Sequence, residues 1–329
     1  MKGFDPRFAD LPDYILTITR EIWEERGIAT LHRYYARDMA LRSTSGLIRG
    51  SEGVIADTLA TLSECPDRRV LGEDVIWSGD EESGFLSSHR AMTLGTHTGH
   101  GVFGPPTNRS FAYRAIADCV CRDDVIHEEW LVRDDSAIAI QLGLDPVEEA
   151  RSQILREGGP ERATLPLNAA DDAAATYTGR GNDNEWGERL EDILERLMAA
   201  DVTVVRKTYD RAAAIAHPGT REGFSFDFAE TEWMRLRSAF PSARFTIDHR
   251  IGRSDPGQPN RAAVRWSLTG SHDGHGAFGA PTGAPVHVMG ITHVEFGPYG
   301  EPGWGVRREW TVFDEVAVWK QILLYGGRA

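Results

Sequence analysis

The sequence predicts an α+β protein made of two copies of one module, each with N-terminal helices packed on a curved antiparallel sheet. Three observations predict this fold class. Two segments of the chain repeat each other, amphipathic helical patterns precede each repeat, and alternating strand patterns follow those helices. The chain has 329 residues, which is the length of two ordinary domains of roughly 100–200 residues each.

The repeat is clearest in two pairs of segments. THTGHGVFGPPT, at 96–107, aligns without gaps with SHDGHGAFGAPT, at 271–282, and eight of the twelve positions are identical. Further along, EEWLVRDDSAIAIQ aligns with REWTVFDEVAVWKQ in the same order and at similar spacing. The duplication predicts a first module over 1–149, a linker over 150–184 and a second module over 185–329.

Helices open each predicted module. Apolar residues recur at helical spacing over 15–23 in the first module and over 190–198 in the second. A second amphipathic pattern ends before Pro66 in the first module and before Pro241 in the second. Proline disfavours helical backbone in the residue before it, so both prolines mark helix ends.

Strand patterns follow the helices in each module. In segments such as GFLSSHRAMTLGTH, AAVRWSLTGSH and PVHVMGITHVEFG, β-branched and aromatic residues alternate with polar or small ones. We therefore expect a long antiparallel sheet followed by a short C-terminal helix in each module. The linker is rich in Ala, Gly, Asp, Thr and Pro and shows only weak periodicity.

Composition limits the classes of function. Apolar residues make up 41% and charged residues 26% of the chain, which is typical of a soluble globular protein. The net charge of −14 disfavours nucleic acids and anionic membranes as partners. The first residues lack the basic start and apolar run of a secretory signal, so we expect a cytoplasmic protein. The three cysteines, at 65, 119 and 121, show neither a disulfide framework nor a metal-ligand spacing.

The GTHTG strand end, and the EEWLVRD ending followed by a QLG-like helix, resemble the SnoaL-like polyketide cyclases of the nuclear transport factor 2-like superfamily. The resemblance covers both modules. It implies two cone-shaped modules paired as a pseudo-dimer. It also implies acid/base chemistry without a cofactor on a carbonyl-containing substrate, of the isomerase, cyclase or lyase type.

The strand that ends the first repeat carries the main catalytic candidates. Its side chains alternate between faces, so Trp130, Val132 and Asp134 share one face. The second module repeats this face, with Trp310 and Asp314 in the same places, whereas the opposite face differs. We therefore expect this face to line a cavity, and the resemblance implies that the two aspartates are general acids or bases. The alternative is that each aspartate caps the helix that follows it.

Two pairs of histidines are further candidates. His97 and His272 end strands and are expected to point inward, where a neutral imidazole can hydrogen-bond an enolate or carbonyl oxygen. Their alternative role is a buried, hydrogen-bonded histidine that closes the strand. His100 and His275 lie in Gly-flanked loops and are expected either to cover the cavity mouth and bind substrate or to face solvent. The HxxH spacing also permits a metal site with the aspartate as third ligand, if the backbone bends.

Four aromatic residues complete the candidate substrate-binding set, with core packing as the alternative for each. They are Trp130, Trp310, Tyr35 and Tyr209. We expect a small-molecule enzyme that needs no cofactor. A non-catalytic ligand-binding or assembly module is the alternative, and a metal-dependent hydrolase or lyase is a third hypothesis.

The two modules are expected to pair within one chain, because a linker of roughly 35 residues easily spans such a pair. The sequence predicts a pseudo-twofold monomer, with further association into a homodimer as the alternative.

Overall fold

The computed structural model describes residues 1–174, 177, 179–299 and 303–327. Each half of the chain forms one six-stranded sheet, and helices pack against one face of each sheet. The predicted α+β class and the division into two similar modules are therefore confirmed. In the part of the chain described, no helix combines the length and the apolar character that crossing a membrane requires.

The helices and strands of the first module alternate in the predicted order. They are α1 (Leu11–Thr19), α2 (Leu31–Tyr34), β1 (Tyr35–Ser43), β2 (Gly46–Arg49), α3 (Gly50–Glu64), β3 (Arg69–Asp80), β4 (Gly84–Thr96), β5 (Ser110–Arg122), β6 (Val125–Arg133), α4 (Asp135–Leu142) and α5 (Pro146–Arg156). A π-helical turn and a 3₁₀ turn lie between α1 and α2.

The second module repeats this order. Its elements are α6 (Glu185–Met198), α7 (Thr203–Thr208), β7 (Tyr209–His217), β8 (Arg221–Phe224), α8 (Ser225–Ala239), β9 (Arg244–Arg253), β10 (Asn260–Ser271), β11 (Pro285–Gly297), β12 (Gly305–Phe313) and α9 (Glu315–Gly326). Both modules open with a capped helix: Asp10 accepts a hydrogen bond from Asp13 N, and Asn184 accepts one from Trp186 N.

Each sheet is mixed rather than wholly antiparallel, which corrects one expectation. The strand orders are β2-β1-β6-β5-β4-β3 and β8-β7-β12-β11-β10-β9. The pairs β1–β6 and β7–β12 are parallel, and the other pairs are antiparallel. A parallel pair needs a long crossover, and here the crossover is the helix and four strands that separate the two partners. Local alternation in the sequence does not reveal such a long-range pairing.

The two sheets pack against each other through the faces that point away from the helices. Apolar side chains from both modules form one buried cluster there: Ile76, Leu86, Ile116, Val120, Trp130, Val132, Ile251, Ala263, Met289, Ile291 and Val312, with Leu167 from the linker. We call this contact the module interface. It pairs the modules in the pseudo-dimer that the fold class predicted.

Two reciprocal contacts join the ends of the module interface. Asp134, before α4, accepts hydrogen bonds from Gly219 N in the β7–β8 turn at 3.0 and 2.9 Å. Asp314, before α9, accepts a hydrogen bond from Thr44 Oγ1 in the β1–β2 turn at 3.0 Å. Each module therefore holds the same turn of the other, as expected of a pseudo-twofold pair.

The segment predicted as a linker is partly helical and packs on both modules. Helix α5 continues to Arg156 and lies against α9. Beyond it, Lys320 Nζ lies 2.7 Å from Glu157 Oε1. The side chain of Asp172 is 7% exposed, with Oδ2 2.9 Å from His287 Nε2. These described residues of the segment therefore belong to the packed structure between the modules.

Candidate active site

The first module encloses a cavity between its helices and the concave face of its sheet. Counting the part open to solvent, the space amounts to about 810 Å³. Apolar side chains make up most of the wall: Ile15, Ile18, Trp23, Leu41, Val54, Val70, Ala91, Ala115, Ala117, Ile126 and Leu131. Seven lining residues can ionise or carry charge: Tyr35, Asp57, Arg68, His89, Cys119, Glu129 and Arg133. A mainly apolar cavity with a few convergent polar groups is the usual form of a small-molecule site.

Glu129 is the buried carboxyl group of this cavity. It lies on β6 opposite Cys119 of β5, and only 5% of the residue is exposed. Tyr35 Oη donates to Glu129 Oε2 at 2.9 Å. Burial raises the pKa of Glu129 to about 7, and the Tyr35 hydrogen bond and the charge of Arg133 offset this effect only in part. Glu129 can therefore release or take up a proton near neutral pH.

His89 lies on β4 and lines the same cavity. Its Nε2 atom is buried without a hydrogen-bond partner among the described residues. Burial and the neighbouring Arg90 lower the pKa of His89 to about 4, so the ring is neutral at pH 7. A neutral imidazole that carries its proton on Nε2 can donate one hydrogen bond to a ligand oxygen.

The second module fills the corresponding space with side chains. Trp266 on β10 corresponds to Ala91 on β4, since both lie six residues before the aligned histidines. Trp233 holds the position in α8 that Thr58 holds in α3, and Phe313 on β12 replaces Arg133. The Trp266 ring lies 6.1 Å from the rings of both Trp233 and Phe313. These three rings belong to the apolar core of the second module.

Gly290 shows how tightly this space is filled. It pairs with Trp266 across β10 and β11, as Ala115 pairs with Ala91 across β4 and β5. A Cβ atom at Gly290 would lie 2.2 Å from the Trp266 ring. The tryptophan is therefore compatible only with a glycine opposite it.

Glu309, the counterpart of Glu129, is fully hydrogen-bonded. It accepts from Tyr209 Oη at 2.5 Å, lies 2.9 Å from His217 Nε2, and accepts from Thr311 Oγ1 at 2.8 Å. Burial alone would raise the pKa of Glu309, but the hydrogen bond and charge of His217, with the other two hydrogen bonds, outweigh burial and lower it. The same residue type is thus ionised and structural in one module, and poised to exchange a proton in the other.

Asp134 and Asp314 lie at the module interface, outside the wall of the first module's cavity, and Asp134, Trp310 and Val312 line a separate space there. Asp134 accepts from Ala137 N at 2.9 Å and Ser136 Oγ at 2.7 Å, and Asp314 accepts from Val316 N at 2.9 Å. Both aspartates therefore cap helices, as the alternative interpretation stated. Burial raises the pKa of Asp134 to about 6 and that of Asp314 well above its usual value.

The four candidate histidines lie away from the cavity lining. His97 is buried, with Nδ1 3.2 Å from Thr107 Oγ1 and Nε2 3.2 Å from Glu64 Oε1. His272 is buried and makes the equivalent contact, 3.1 Å, with Thr282 Oγ1.

These two histidines tie a strand end to the loop that follows, whereas His100 and His275 are exposed to solvent. Among the described residues, no group of three or more His, Cys, Asp and Glu side chains is placed to hold a metal ion.

The four aromatic candidates divide between the two faces of the sheets. Trp130 is fully buried at the module interface, beneath the guanidinium of Arg265 at 4.1 Å. Trp310 also lies there, with Arg90 3.6 Å from its ring centroid. Tyr35 lines the cavity, as expected, whereas Tyr209 is enclosed in the filled core of the second module.

The sequence did carry a signal for Glu129. Glu129 and Glu309 are identical in the two copies, yet they lie on the strand face that otherwise differs, with Leu131 against Thr311 and Arg133 against Phe313. The sequence interpretation takes residues that are identical in the two modules as the mark of the functional face. Identity instead marks the interface, since both modules must present the same surface to each other.

Residues 14–142 match the sequence model of the SnoaL-like polyketide cyclase family, which confirms the resemblance inferred from the motifs. No curated protein matches the chain significantly.

Among solved structures, IdmH from Streptomyces antibioticus is 26% identical, and the match covers 40% of this chain and 97% of that one, with a TM-score of 0.35. TsrD from Streptomyces laurentii is 20% identical over 40% of this chain and 90% of that one, with a TM-score of 0.34. A protein with a ketosteroid isomerase-like fold from Catenulispora acidiphila, in complex with trimethylamine, is 14% identical over 41% and 95%, also with a TM-score of 0.34.

Proposed function

We propose that the first module, which matches the SnoaL-like polyketide cyclase family, is a cofactor-independent acid/base enzyme acting on a small carbonyl compound. Glu129 is the proton-transferring group. The observation that carries this proposal is a carboxyl group with a pKa of about 7 at the wall of an apolar cavity, bonded only to Tyr35 among the described residues.

The chemistry follows from the environment of each group. The carboxylate of Glu129 removes a proton from the carbon next to the substrate carbonyl, and the resulting carboxylic acid returns it elsewhere. The carbonyl oxygen gains negative charge as the proton leaves. His89, neutral and without a partner at Nε2, donates a hydrogen bond to this enolate oxygen. Such steps support isomerisation, aldol-type cyclisation or elimination.

The second module is proposed to have no catalytic role. Glu309 is hydrogen-bonded to three side chains, and Val264 holds the position that corresponds to His89. Tryptophan and phenylalanine rings occupy the space that a substrate would need. Catalysis by one module of the pair is therefore the expected arrangement.

The test uses exchange of the α-protons of 3-oxocyclohexanecarboxylate and cyclohexanone in D₂O, followed by proton NMR. Glu129→Gln should lower the exchange rate by about 100-fold or more while the protein stays folded, because the amide cannot accept the proton. The rate for wild-type protein should rise with pH through about 7, as Glu129 ionises.

Glu309→Gln is the matched control, and it should exchange these protons at the wild-type rate per folded molecule. Full activity in folded Glu129→Gln would refute the assignment of Glu129. No exchange of either ketone by the wild-type protein would refute the proposed proton transfer for this class of substrate.

A further inference from the structure

We infer that the substrate carries a carboxylate, held by Arg68 and Arg133 while its carbonyl end lies at Glu129 and His89. This inference rests on the proposed function, because it names the substrate class of the same cavity. Four observations support it. Arg68 has unused hydrogen-bond donors, and so does Arg133. Both arginines are absent from the filled module, and Arg133 lies on the strand that carries Glu129.

Arg68 has unused hydrogen-bond donors at the cavity wall. Its Nε atom is buried without a hydrogen-bond partner among the described residues. Its Nη2 atom donates to Tyr113 Oη at 3.3 Å. Within the described part of the chain, its guanidinium forms no ion pair within 4.0 Å, and its charge acts on Asp135 only from farther away. A cation in a mainly apolar wall without an anionic partner favours an anionic ligand.

Arg133 is also loosely held. Its nearest carboxylate oxygens are Asp57 Oδ2 at 3.9 Å and Asp135 Oδ1 at 4.0 Å, which is too far for hydrogen bonds. These two aspartates balance its charge but leave its donors available. The planar guanidinium presents several N–H groups in a fork that matches a carboxylate.

Both arginines are missing from the filled module. Arg133 corresponds to Phe313, and Arg68, four residues after the end of α3, corresponds to Ala243, four residues after the end of α8. Asp57 corresponds to Glu232, whose Oε2 accepts from Arg221 Nε at 2.7 Å. The two arginines thus occur only in the module that keeps space for a ligand, whereas a purely structural role would be needed in both modules.

The strand geometry sets the spacing of the two ends. Glu129 and Arg133 lie four residues apart on the same face of β6, so their Cα atoms are about 13 Å apart. Two long side chains that converge over this distance leave a gap for one small molecule. The substrate class is therefore a small carbonyl compound with a carboxylate several bonds from the reacting carbon.

The test measures binding, so that it is independent of turnover. Titration calorimetry compares 3-oxocyclohexanecarboxylate with 3-oxocyclohexanecarboxamide, which has a similar shape and no charge. Wild-type protein should bind the carboxylate about tenfold more tightly, because hydrogen bonds to an ionised group are stronger than neutral ones. Arg68→Met and Arg133→Met should abolish this preference, and Arg133→Lys should keep part of it.

Glu129→Gln separates this inference from the proposed function. It should bind the carboxylate with an unchanged or larger preference even though it no longer exchanges protons. A preference that survives in folded Arg68→Met, or equal binding of the two compounds by wild-type protein, would overturn the inference while the role of Glu129 stands. If Arg133→Met does not fold, Arg68→Met decides, because Arg68 holds no carboxylate that its loss would leave unpaired.

Discussion

The two modules share one fold, yet their interiors have opposite characters. In the first module Ala91 faces Ala115 across a cavity, and Glu129 keeps one side-chain partner among the described residues. In the second, Trp266 faces Gly290, and Glu309 has hydrogen-bond contacts with Tyr209, His217 and Thr311. The difference teaches that a few substitutions on a single face of the sheet decide whether this fold keeps a cavity or fills it with side chains.

The largest effect is expected from giving the first module the interior of the second. Ala91→Trp combined with Ala115→Gly should fill the cavity and lower the rate of α-proton exchange by at least about 100-fold, because the substrate loses access to Glu129. The glycine makes room for the ring, as Gly290 does for Trp266. Proton NMR gives the rate, and circular dichroism shows that the variant is folded.

Ala115→Gly alone is the control, and it should remain active because the cavity stays open. A filled variant that folds and exchanges protons at the wild-type rate would place the reaction outside this cavity.

The two glutamates should respond in opposite directions to removal of their charge. Glu309→Gln should lower the free energy of unfolding at pH 7 by about 3 kcal/mol, because it breaks a buried, fully bonded ionic cluster. Glu129→Gln should raise it above pH 7 by up to about 3 kcal/mol, because the wild-type carboxyl must ionise in an apolar wall.

The pH dependence gives the sign of each effect. The folded state raises the pKa of Glu129 from 4.5 to about 7, so its contribution to stability is lost as the pH rises between these values. The pKa of Glu309 is lowered instead, so its contribution is present above 4.5 and is lost at more acidic pH. Urea unfolding of the wild-type protein and both variants between about pH 3 and 8 measures the two trends. Parallel trends for the two glutamates would contradict the contrast.

A smaller effect is expected from crowding the filled module. Gly290→Ala should lower the free energy of unfolding by about 2 kcal/mol, because its Cβ atom would overlap the Trp266 ring. In a Trp266→Ala background the same substitution should cost much less. A double-mutant cycle by thermal or urea unfolding measures this coupling, and additive effects would show that the two residues do not compete for space.

The smallest effect should be the same in both modules. Asp134→Ala and Asp314→Ala should each lower the free energy of unfolding by about 1 kcal/mol. Each removes a helix cap and a hydrogen bond across the module interface, and this loss is partly offset because a buried carboxyl group is removed as well. Neither should change α-proton exchange per folded molecule. Loss of exchange in folded Asp134→Ala would instead support the acid/base role that the family resemblance implies for this residue.

The fold was predictable because the same pattern of helices and strands occurs twice in the sequence. The helical spacing before Pro66 recurs before Pro241, and the strand that ends at Asp134 recurs before Asp314. The parallel pairing of β1 with β6 was not predictable, because it joins strands far apart in the chain. Local alternation specifies which residues share a face of a strand, but it does not specify the neighbouring strand.

The candidate site was harder to predict, because alternation does not show which face of a strand points to the cavity and which points to the other module. The repeated Trp130 and Val132 suggested a cavity, but they face the other module. The buried state of His97 depends on contacts with Thr107 and Glu64 that only the folded chain reveals. Tyr35 was placed correctly at the cavity, and its hydrogen-bond partner Glu129 is the group that the face assignment concealed.

The covalent connection between the modules has a consequence for how such a protein can change. In a symmetric homodimer one coding sequence specifies both subunits, so a tryptophan that fills one interior fills the other as well, and every site is lost together. Here the residues from 157 to 184 join two separately encoded copies, and Leu167 and Asp172 from this stretch pack between the modules. The interior residues of each module can therefore change independently. The repeated residues at the module interface keep the two modules complementary to each other.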